Sequence, residues 1–100
     1  LTAGCLFTVD VKIGNFNVFN LNTTIGHDSQ IGDCNVFNPG ANISGSTIIG
    51  DENLVGTNAT ILQGVRVGSK NKLGASCMVH KSIADELTMV GIPARPLKLK

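Results

Sequence analysis

The chain has 100 residues, of which 42% are hydrophobic, 15% charged and 4% aromatic, and its formal net charge is +1. This length suffices for one small domain, and the composition, rich in Gly and Asn, suits neither a helical bundle nor a disordered segment. The nearly neutral charge predicts no nucleic-acid partner, and no apolar run is long enough for a membrane span. Three cysteines, an odd number, favour a reducing compartment, so we expect a cytoplasmic protein.

A six-residue repeat, here called a hexad, begins at the first residue. Neither a helical period nor a two-residue strand period explains this spacing. A glycine often follows the apolar residue, and the residue four places after it is mostly small. The pattern predicts a short strand, a tight corner that uses Gly or Asn at positive φ, and then another strand, with the apolar and the small residue both pointing inward. The apolar residues, here called core positions, are Leu1, Phe7, Ile13, Phe19, Ile25, Ile31, Phe37, Ile43, Ile49, Val55, Ile61, Val67, Leu73 and Val79.

Three hexads make one triangular coil, so residues n and n+18 are expected to stack. A column of asparagines supports this closure, because Asn17, Asn35, Asn53 and Asn71 recur at every third hexad. Stacked amides can hydrogen-bond along such a column. The sequence therefore predicts an all-β solenoid of parallel strands.

The regular repeat is predicted to end near residue 84, because Asp85 takes the next core position. Val90 is then expected to begin a final hexad that is one residue out of phase. We therefore divide the chain into a β-helix of nearly five coils over residues 1–84, and a loop, final hexad and tail over 85–100. Because the chain begins at Leu1 and the first coil has an open end, we expect an upstream domain that caps it.

These hexads resemble the left-handed parallel β-helix of hexapeptide-repeat acyltransferases, and the chain is most similar to NeuD/PglD-like sugar acetyltransferases of bacterial glycan synthesis. The period alone does not fix the handedness, which the resemblance implies. It also implies homotrimers with active sites between neighbouring subunits, and an N-terminal nucleotide-sugar-binding domain absent from this chain. The resemblance rests on Phe19-Asn20, His27-Asp28, "IGDCNVFNPGANISG" (31–45), "LGASCMVHK" (73–81) and "VGIPAR" (90–95).

His27 is the candidate general base. It falls two residues after a core position, on an outward corner, and imidazole titrates near the working pH. Such a base typically contributes about 10²–10⁴-fold, and the neighbouring Asp28 could fix the tautomer and stabilise the imidazolium. From the residues alone, a solvated corner histidine fits equally well; the resemblance favours a base that deprotonates a sugar hydroxyl or ammonium. No serine or cysteine lies beside His27 in its column, which favours direct attack on acetyl-CoA.

Gly45 follows His27 by three hexads and is expected directly above it, about 5 Å away. Its N–H could face the thioester carbonyl, the role that the resemblance assigns to the matching glycine; the alternative is a plain corner glycine. Asn20 matches a position that orients the acceptor or the histidine, and it could equally be a corner asparagine.

The resemblance places coenzyme A in a groove near the C-terminal end of the β-helix. Lys81 and Arg95 could pair with its phosphates; for both, a solvated surface cation is the alternative. Val36 departs from the family pattern, since relatives often carry a second histidine nine residues after the first, and this leaves the acceptor open. The residues that match the groove are Gly45, Ala75, Ser76, Lys81, Gly91, Ile92, Pro93, Ala94 and Arg95.

Other functions of this fold fit less well. A γ-type carbonic anhydrase needs three histidines on zinc, whereas this sequence has only His27 and His80, about 14 Å apart in height; no metal is predicted. Cys5 and Cys77 share a column four coils apart, beyond disulfide reach. The threonines do not form the flat row of an ice-binding solenoid. A non-catalytic trimerisation scaffold stays open, although the segment "VGIPAR" has no evident use in it.

The sequence therefore predicts acetyl transfer from acetyl-CoA to an amino or hydroxyl group of a sugar, which could be nucleotide-linked. It does not distinguish N- from O-acetylation, and it does not identify the sugar.

Overall fold

The computed structural model describes residues 4–97, and all regular elements in that range are β-strands. Leu1, the first predicted core residue, and the last three residues of the predicted tail lie outside the described range. Thirteen two-residue strands recur with the period of the hexads. A three-residue strand and a final two-residue strand come after these thirteen. Their bounds are β1 Leu6–Phe7, β2 Lys12–Ile13, β3 Val18–Phe19, β4 Thr24–Ile25, β5 Gln30–Ile31, β6 Val36–Phe37, β7 Asn42–Ile43, β8 Ile48–Ile49, β9 Leu54–Val55, β10 Thr60–Ile61, β11 Arg66–Val67, β12 Lys72–Leu73, β13 Met78–Val79, β14 Thr88–Val90 and β15 Arg95–Pro96.

The strands form three sheets, which are the faces of a triangular prism. Sheet A contains β1, β4, β7, β10 and β13; sheet B contains β2, β5, β8 and β11; sheet C contains β3, β6, β9, β12, β14 and β15. From β1 to β10, each strand pairs in parallel with the strand three hexads later, as Thr24 does with Asn42. The predicted coil length is therefore confirmed. The corners between the sheets are called AB, BC and CA below.

The interior of the prism is filled by the residues that the hexad predicts. The core positions from Phe19 to Val79 are at most 5% exposed. Phe19 stacks on Phe37 with ring centroids 4.9 Å apart and planes 3° from parallel. The lowest described coil is less covered, since Ile13 remains 37% exposed. Each coil thus buries its apolar face against its neighbours, as in other solenoids.

The asparagine column is hydrogen-bonded, mainly to the backbone. Each Oδ1 accepts the N–H of the next asparagine, at 2.8 Å for Asn17 and Asn35 and 2.9 Å for Asn53. Each Nδ2 of these three donates to a glycine carbonyl at 2.8 Å. Within the described residues, Nδ2 of Asn71 is the one buried side-chain nitrogen or oxygen without a partner.

Positive φ angles occur three residues after each core position up to Leu73, and not at the glycine that directly follows it. Eleven described non-glycine residues adopt them, with φ between 54° and 59°. Glycine occurs for another reason at positions 14, 26, 32, 50, 56 and 68. A Cβ there would come within 2.8 Å of the next coil's backbone. The prediction assigned positive φ to Gly or Asn, whereas most of these glycines permit close approach of the coils.

The register changes after β13. Met89 pairs with Leu73, although a full coil would bring Gly91 to that place. Met89 is 5% exposed and Val90 is 38% exposed, so Met89 and not Val90 is the core residue. The prediction of a final hexad that starts at Val90 is therefore wrong. The chain turns back instead, because β15 runs antiparallel to β14.

Asp85 does not occupy a core position, which corrects the sequence prediction. Its side chain is exposed at the BC corner, and its Oδ1 accepts the N–H of Ser69 at 2.7 Å. An ionised carboxylate remains in water while it satisfies a backbone donor, which avoids the cost of burying a charge. Among residues 4–97 there is no helix of the length and apolar character that crossing a membrane requires.

Candidate active site at the AB corner

His27 lies in the turn that joins β4 to β5, and neighbouring residues fix its direction. Gly26 before it has no room for a Cβ, which would meet the Gly45 nitrogen at 2.4 Å. Asp28 after it has a φ of 58°, a conformation that Asp tolerates better than most residues. Ser29 is buried and its Oγ donates to the Ser44 carbonyl at 3.1 Å. The turn therefore directs the His27 side chain outward, as predicted.

His27 and Asp28 form a side-chain pair. Nδ1 of His27 lies 3.1 Å from Oδ2 of Asp28, and the two side chains are 56% and 60% exposed. An ion pair this exposed contributes little to stability. The contact instead orients the ring: a proton on Nδ1 is held by the carboxylate, so Nε2 is the nitrogen free to accept a proton.

Gly45 lies in the next coil, directly above His27. The N–H of its neighbour Ser46 donates to the His27 carbonyl at 2.7 Å. Gly45 is buried, and its N–H has no acceptor among the described residues. Buried N–H groups without an acceptor are uncommon, and such a donor can bind a ligand oxygen.

The amide two residues after a core position differs between the corners. At the BC corner a side chain of the next coil accepts it: the Asp33 N–H donates to Oδ1 of Asp51 at 2.7 Å, and the Asp51 N–H donates to Oγ of Ser69 at 2.9 Å. At the AB corner the equivalent amides of His27, Gly45 and Gln63 have no acceptor among the described residues. Gly45 therefore shares its free amide with its column, and it differs from His27 and Gln63 in having no side chain.

Three of the predicted site residues lie at a different corner. Asn20 is half-buried at the CA corner, where its Nδ2 is 3.4 Å from Oδ1 of Asn38. Ala75 and Ser76 are exposed at the same corner, higher in the prism. Sheet A separates the CA corner from the AB corner. One chain by itself therefore does not bring these three residues next to His27.

A cavity of about 530 Å³ near the C-terminal end, here called the C-terminal groove, contains four of the nine residues predicted to bind coenzyme A, namely Lys81, Pro93, Ala94 and Arg95. It is lined by His80, Lys81 and residues 93–96, so Lys81 and Arg95 share one site. A smaller, mainly apolar cavity of about 300 Å³ adjoins it and reaches Met89. From the sequence, His80 is considered only as a possible zinc ligand and its place in this groove is missed, because the irregular last coil brings residues 93–96 next to it.

The segment "GIPAR" (91–95) is anchored on β13. Ala94 is 7% exposed, and its N–H donates to the Met78 carbonyl at 2.8 Å. The Gly91 carbonyl accepts the Met78 N–H at 3.1 Å. Ile92 and Pro93 are exposed between these two contacts. The segment is therefore held in place while part of its surface stays accessible.

Val36 lies on the outer face of sheet C, away from His27 of the same chain. It is half-buried between Val18 and Leu54, with which it is in parallel register. Val18 and Leu54 are 47% and 40% exposed. These three side chains form an apolar row, and no polar group replaces the histidine that relatives often have.

None of Cys5, Cys34 and Cys77 forms a disulfide, and burial raises the pKa of the Cys77 thiol. Within residues 4–97, no three His, Cys, Asp or Glu side chains are close enough to hold a metal ion together. A shallow hollow of about 360 Å³ on sheet B, near Gln30, contains none of the predicted site residues.

Comparison with known proteins finds similar solved structures, although neither a protein-family model nor a curated protein sequence matches the chain. WeeI from Acinetobacter baumannii AYE is 28% identical, with a TM-score of 0.83 over 96% of this chain and 56% of its own. The acetyltransferase domain of PglB from Neisseria gonorrhoeae FA1090 is 30% identical, with a TM-score of 0.78 over 95% of this chain and 52% of its own. Serine acetyltransferase from Neisseria gonorrhoeae is 27% identical, with a TM-score of 0.82 over 94% of this chain and 41% of its own.

A more distant structure of the same fold contains ligands. It is perosamine N-acetyltransferase from Caulobacter crescentus, an H141N mutant (in that protein's numbering) in complex with CoA and GDP-perosamine. It is 18% identical, with a TM-score of 0.65 over 96% of this chain and 54% of its own. The chain thus spans about half the length of the structures that it matches. The repeat, the three parallel sheets and these similarities agree: the chain has the left-handed β-helix of the hexapeptide-repeat acetyltransferases, which are its structural neighbours, and it fits their NeuD/PglD-like branch.

Proposed function

We propose that this chain transfers an acetyl group from acetyl-CoA to an amino or hydroxyl group of a sugar, which can be nucleotide-linked. The observation that carries this proposal is the His27–Asp28 pair beside the free N–H of Gly45, which combines a base with an oxyanion donor. The acetyltransferase domain of PglB and the GDP-perosamine complex support the sugar, and the bound CoA supports the donor.

In the proposed reaction, Nε2 of His27 takes the proton of the acceptor hydroxyl or of an amine that has already lost one proton from its ammonium form. The acceptor oxygen or nitrogen then bonds to the thioester carbonyl carbon. The Gly45 N–H donates to the oxygen that becomes negative. When the C–S bond breaks, the imidazolium of His27 returns its proton to the leaving thiolate. Asp28 holds Nδ1 throughout and stabilises the cationic ring.

We place the nucleotide end of acetyl-CoA in the C-terminal groove. Lys81 and Arg95 line it together, and both can donate charge-assisted hydrogen bonds to phosphate oxygens. His80 adds a third nitrogen donor on the same wall. Lys81 lies about three coils above His27, roughly 14 Å in height, so a bound phosphate and the reacting thioester would be separated along the prism axis.

We further propose a homotrimer in which two copies of the chain complete each site. The AB corner of one copy would face the CA corner and sheet C of its neighbour. This contact would bring Asn20 towards His27 and would leave Ala75 and Ser76 on the same interface, roughly 13 Å higher along the prism axis. Exposed apolar side chains support this contact, with Val9 at the AB corner 69% exposed and the row around Val36 on sheet C. A contact between two different surfaces generates a closed ring when the rotation allows it.

The first experiment is calorimetric titration of the folded chain with acetyl-CoA, with its mass in solution measured by light scattering. We expect a trimer and one binding equivalent per chain. Lys81→Ala should weaken binding, whereas Lys12→Ala, which removes a cation from sheet B, should not. His27→Ala should bind acetyl-CoA nearly as well but lose about 10²–10⁴-fold in transfer rate. A folded trimer that does not bind acetyl-CoA would instead support a scaffold function.

A second acceptor class is a hydroxyl amino acid, which the 27% identity with serine acetyltransferase favours. A panel of amino sugars, nucleotide-linked sugars and serine, assayed by release of free CoA thiol, discriminates between them. Turnover of serine alone would exclude the sugar acceptor. A cytoplasmic location is part of the proposal, and three cysteines that form no disulfide are consistent with it.

A further inference from the structure

We propose that Gly45 is a positioning residue for His27, and that the missing Cβ is the reason for glycine at this point. This inference rests on the proposed function of His27 as the base. It is separate from the role of the Gly45 N–H, because any residue except proline would supply that donor. The inference concerns the space above the imidazole.

The first observation is that glycine is unusual at this corner position. The position lies two residues after each core residue, and it occurs thirteen times between Phe7 and Lys81. Every residue there except Gly45 carries a Cβ, including His27 below it and Gln63 above it in the same column. The thirteen residues are Val9, Asn15, Leu21, His27, Asp33, Pro39, Gly45, Asp51, Thr57, Gln63, Ser69, Ala75 and Lys81.

The second observation is that the backbone at Gly45 does not require glycine. Its φ is not among the positive φ angles of the chain, so an L-residue can adopt the same conformation. It also differs from Gly26, where a Cβ would strike the backbone of the next coil at 2.4–2.8 Å. Backbone atoms of the neighbouring coil are therefore the nearest obstacle to a side chain at residue 26 but not at residue 45.

The third observation is what a Cβ on Gly45 would meet. Its three nearest neighbours are all ring atoms of His27: Nε2 at 2.6 Å, and Cδ2 and Cε1 at 2.9 Å. The imidazole thus occupies the volume that a side chain at this point would fill. Asp28 holds the ring at Nδ1, and the place that a Gly45 side chain would fill receives its Nε2 edge. The proton-accepting nitrogen and the Gly45 N–H are thereby kept beside each other.

The consequence is that one methyl group at residue 45 displaces the ring. The imidazole can rotate outward, because it is the end of an exposed side chain, but it then loses its position between Asp28 and Gly45. A misplacement of about 1 Å can cost about 10²-fold in rate. We expect Gly45→Ala to lower kcat by that order while acetyl-CoA binds with nearly unchanged affinity.

The test compares Gly45→Ala with wild type by NMR of the His27 ring nitrogens over a pH titration, together with kcat and KM. The expected result is a shifted His27 titration curve and a lower kcat. Gly74→Ala is the matched control: a Cβ there would lie 3.2 Å from Cγ1 of Val90 and 3.3 Å from the Met89 carbonyl oxygen, with no atom of His27 among its nearest neighbours, and the His27 curve should not move. An unchanged His27 curve in Gly45→Ala would overturn the inference.

A double-mutant cycle separates contact with the ring from other effects of the methyl group. In a His27→Ala background, Gly45→Ala should raise the thermal midpoint, because alanine restricts the unfolded chain more than glycine does. With His27 present, that gain should disappear. Equal shifts in both backgrounds would refute the steric coupling. If the wild-type protein shows no acetyl transfer, the proposed function is refuted. The NMR curves and the cycle would still decide whether Gly45 positions the His27 ring.

Discussion

Replacement of Asn53 by alanine is expected to lower the free energy of unfolding by about 2–6 kcal/mol. Asn53 is 1% exposed, its Nδ2 donates to the Gly68 carbonyl at 2.8 Å, and its Oδ1 accepts the Asn71 N–H at 2.9 Å. Alanine leaves both backbone partners buried without a hydrogen bond. Each such group costs about 1–3 kcal/mol, and two of them give the stated range.

Asn71 provides the matched control, because it has the same side chain in the same column with one bond fewer. Its Oδ1 accepts the Leu87 N–H at 2.9 Å, whereas its Nδ2 has no partner among the described residues. Asn71→Ala therefore leaves only one backbone group without its hydrogen bond, and we expect the free energy of unfolding to fall by about 1–3 kcal/mol. The loss at Asn53 should be about twice as large.

The assay is urea unfolding followed by circular dichroism, with both variants and the wild type at one protein concentration. The concentration is fixed because an oligomer unfolds at a midpoint that depends on it. Similar slopes with different midpoints would show that stability changed without a change in the unfolded state. Equal losses for the two variants, or a larger loss at Asn71, would refute the idea that side-chain-to-backbone bonds make the column stabilising.

Four further predictions concern the BC corner and the thiols. Phe16 is 87% exposed with a φ of 59°, so Phe16→Gly should stabilise the chain by about 1 kcal/mol; a lower thermal midpoint would contradict this, and Phe16→Ala is the control. Gly32→Ala should destabilise by about 1–3 kcal/mol, because its Cβ would lie 2.7 Å from the Gly50 carbonyl; a stabilised variant in thermal unfolding would contradict close approach. Burial raises the pKa of the Cys77 thiol above 9.0, so stability should be complete below pH 9.0 and should fall as the pH rises towards the folded pKa, an effect that Cys77→Ala removes. Alkylation of the native protein should modify exposed Cys34 first, and mass spectrometry of peptides checks the order.

The sequence predicts the fold well wherever the hexad continues. The period places Phe19 to Val79 in the core and the asparagines in one column, since each coil repeats the environment of the previous one. The end of the solenoid could not be predicted in this way. Two residues are missing from the register between Val67 and Ile83, and the pattern of apolar residues there fits both Met89 and Val90.

The site was predictable to the extent that it follows from the stacking of every third hexad. This rule places Gly45 above His27, and in the structure a Cβ on Gly45 would lie 2.6 Å from Nε2 of His27. The same rule places Asn20 in another column, so only the resemblance joined it to His27. The meeting of His80 with Arg95 in one groove depends on the irregular last coil, for which no repeat provides a template.

The asparagine column has a consequence for the length of the protein. Each coil from Asn17 to Asn71 offers its upper neighbour the same acceptors that it takes from its lower one. An additional coil of three hexads inserted between Gly45 and Lys81 would therefore find matching partners at both cuts. It would move the C-terminal groove about 4.8 Å further from His27. In the proposed reaction, the number of coils between His27 and the C-terminal groove therefore sets the length that a donor molecule needs to span both.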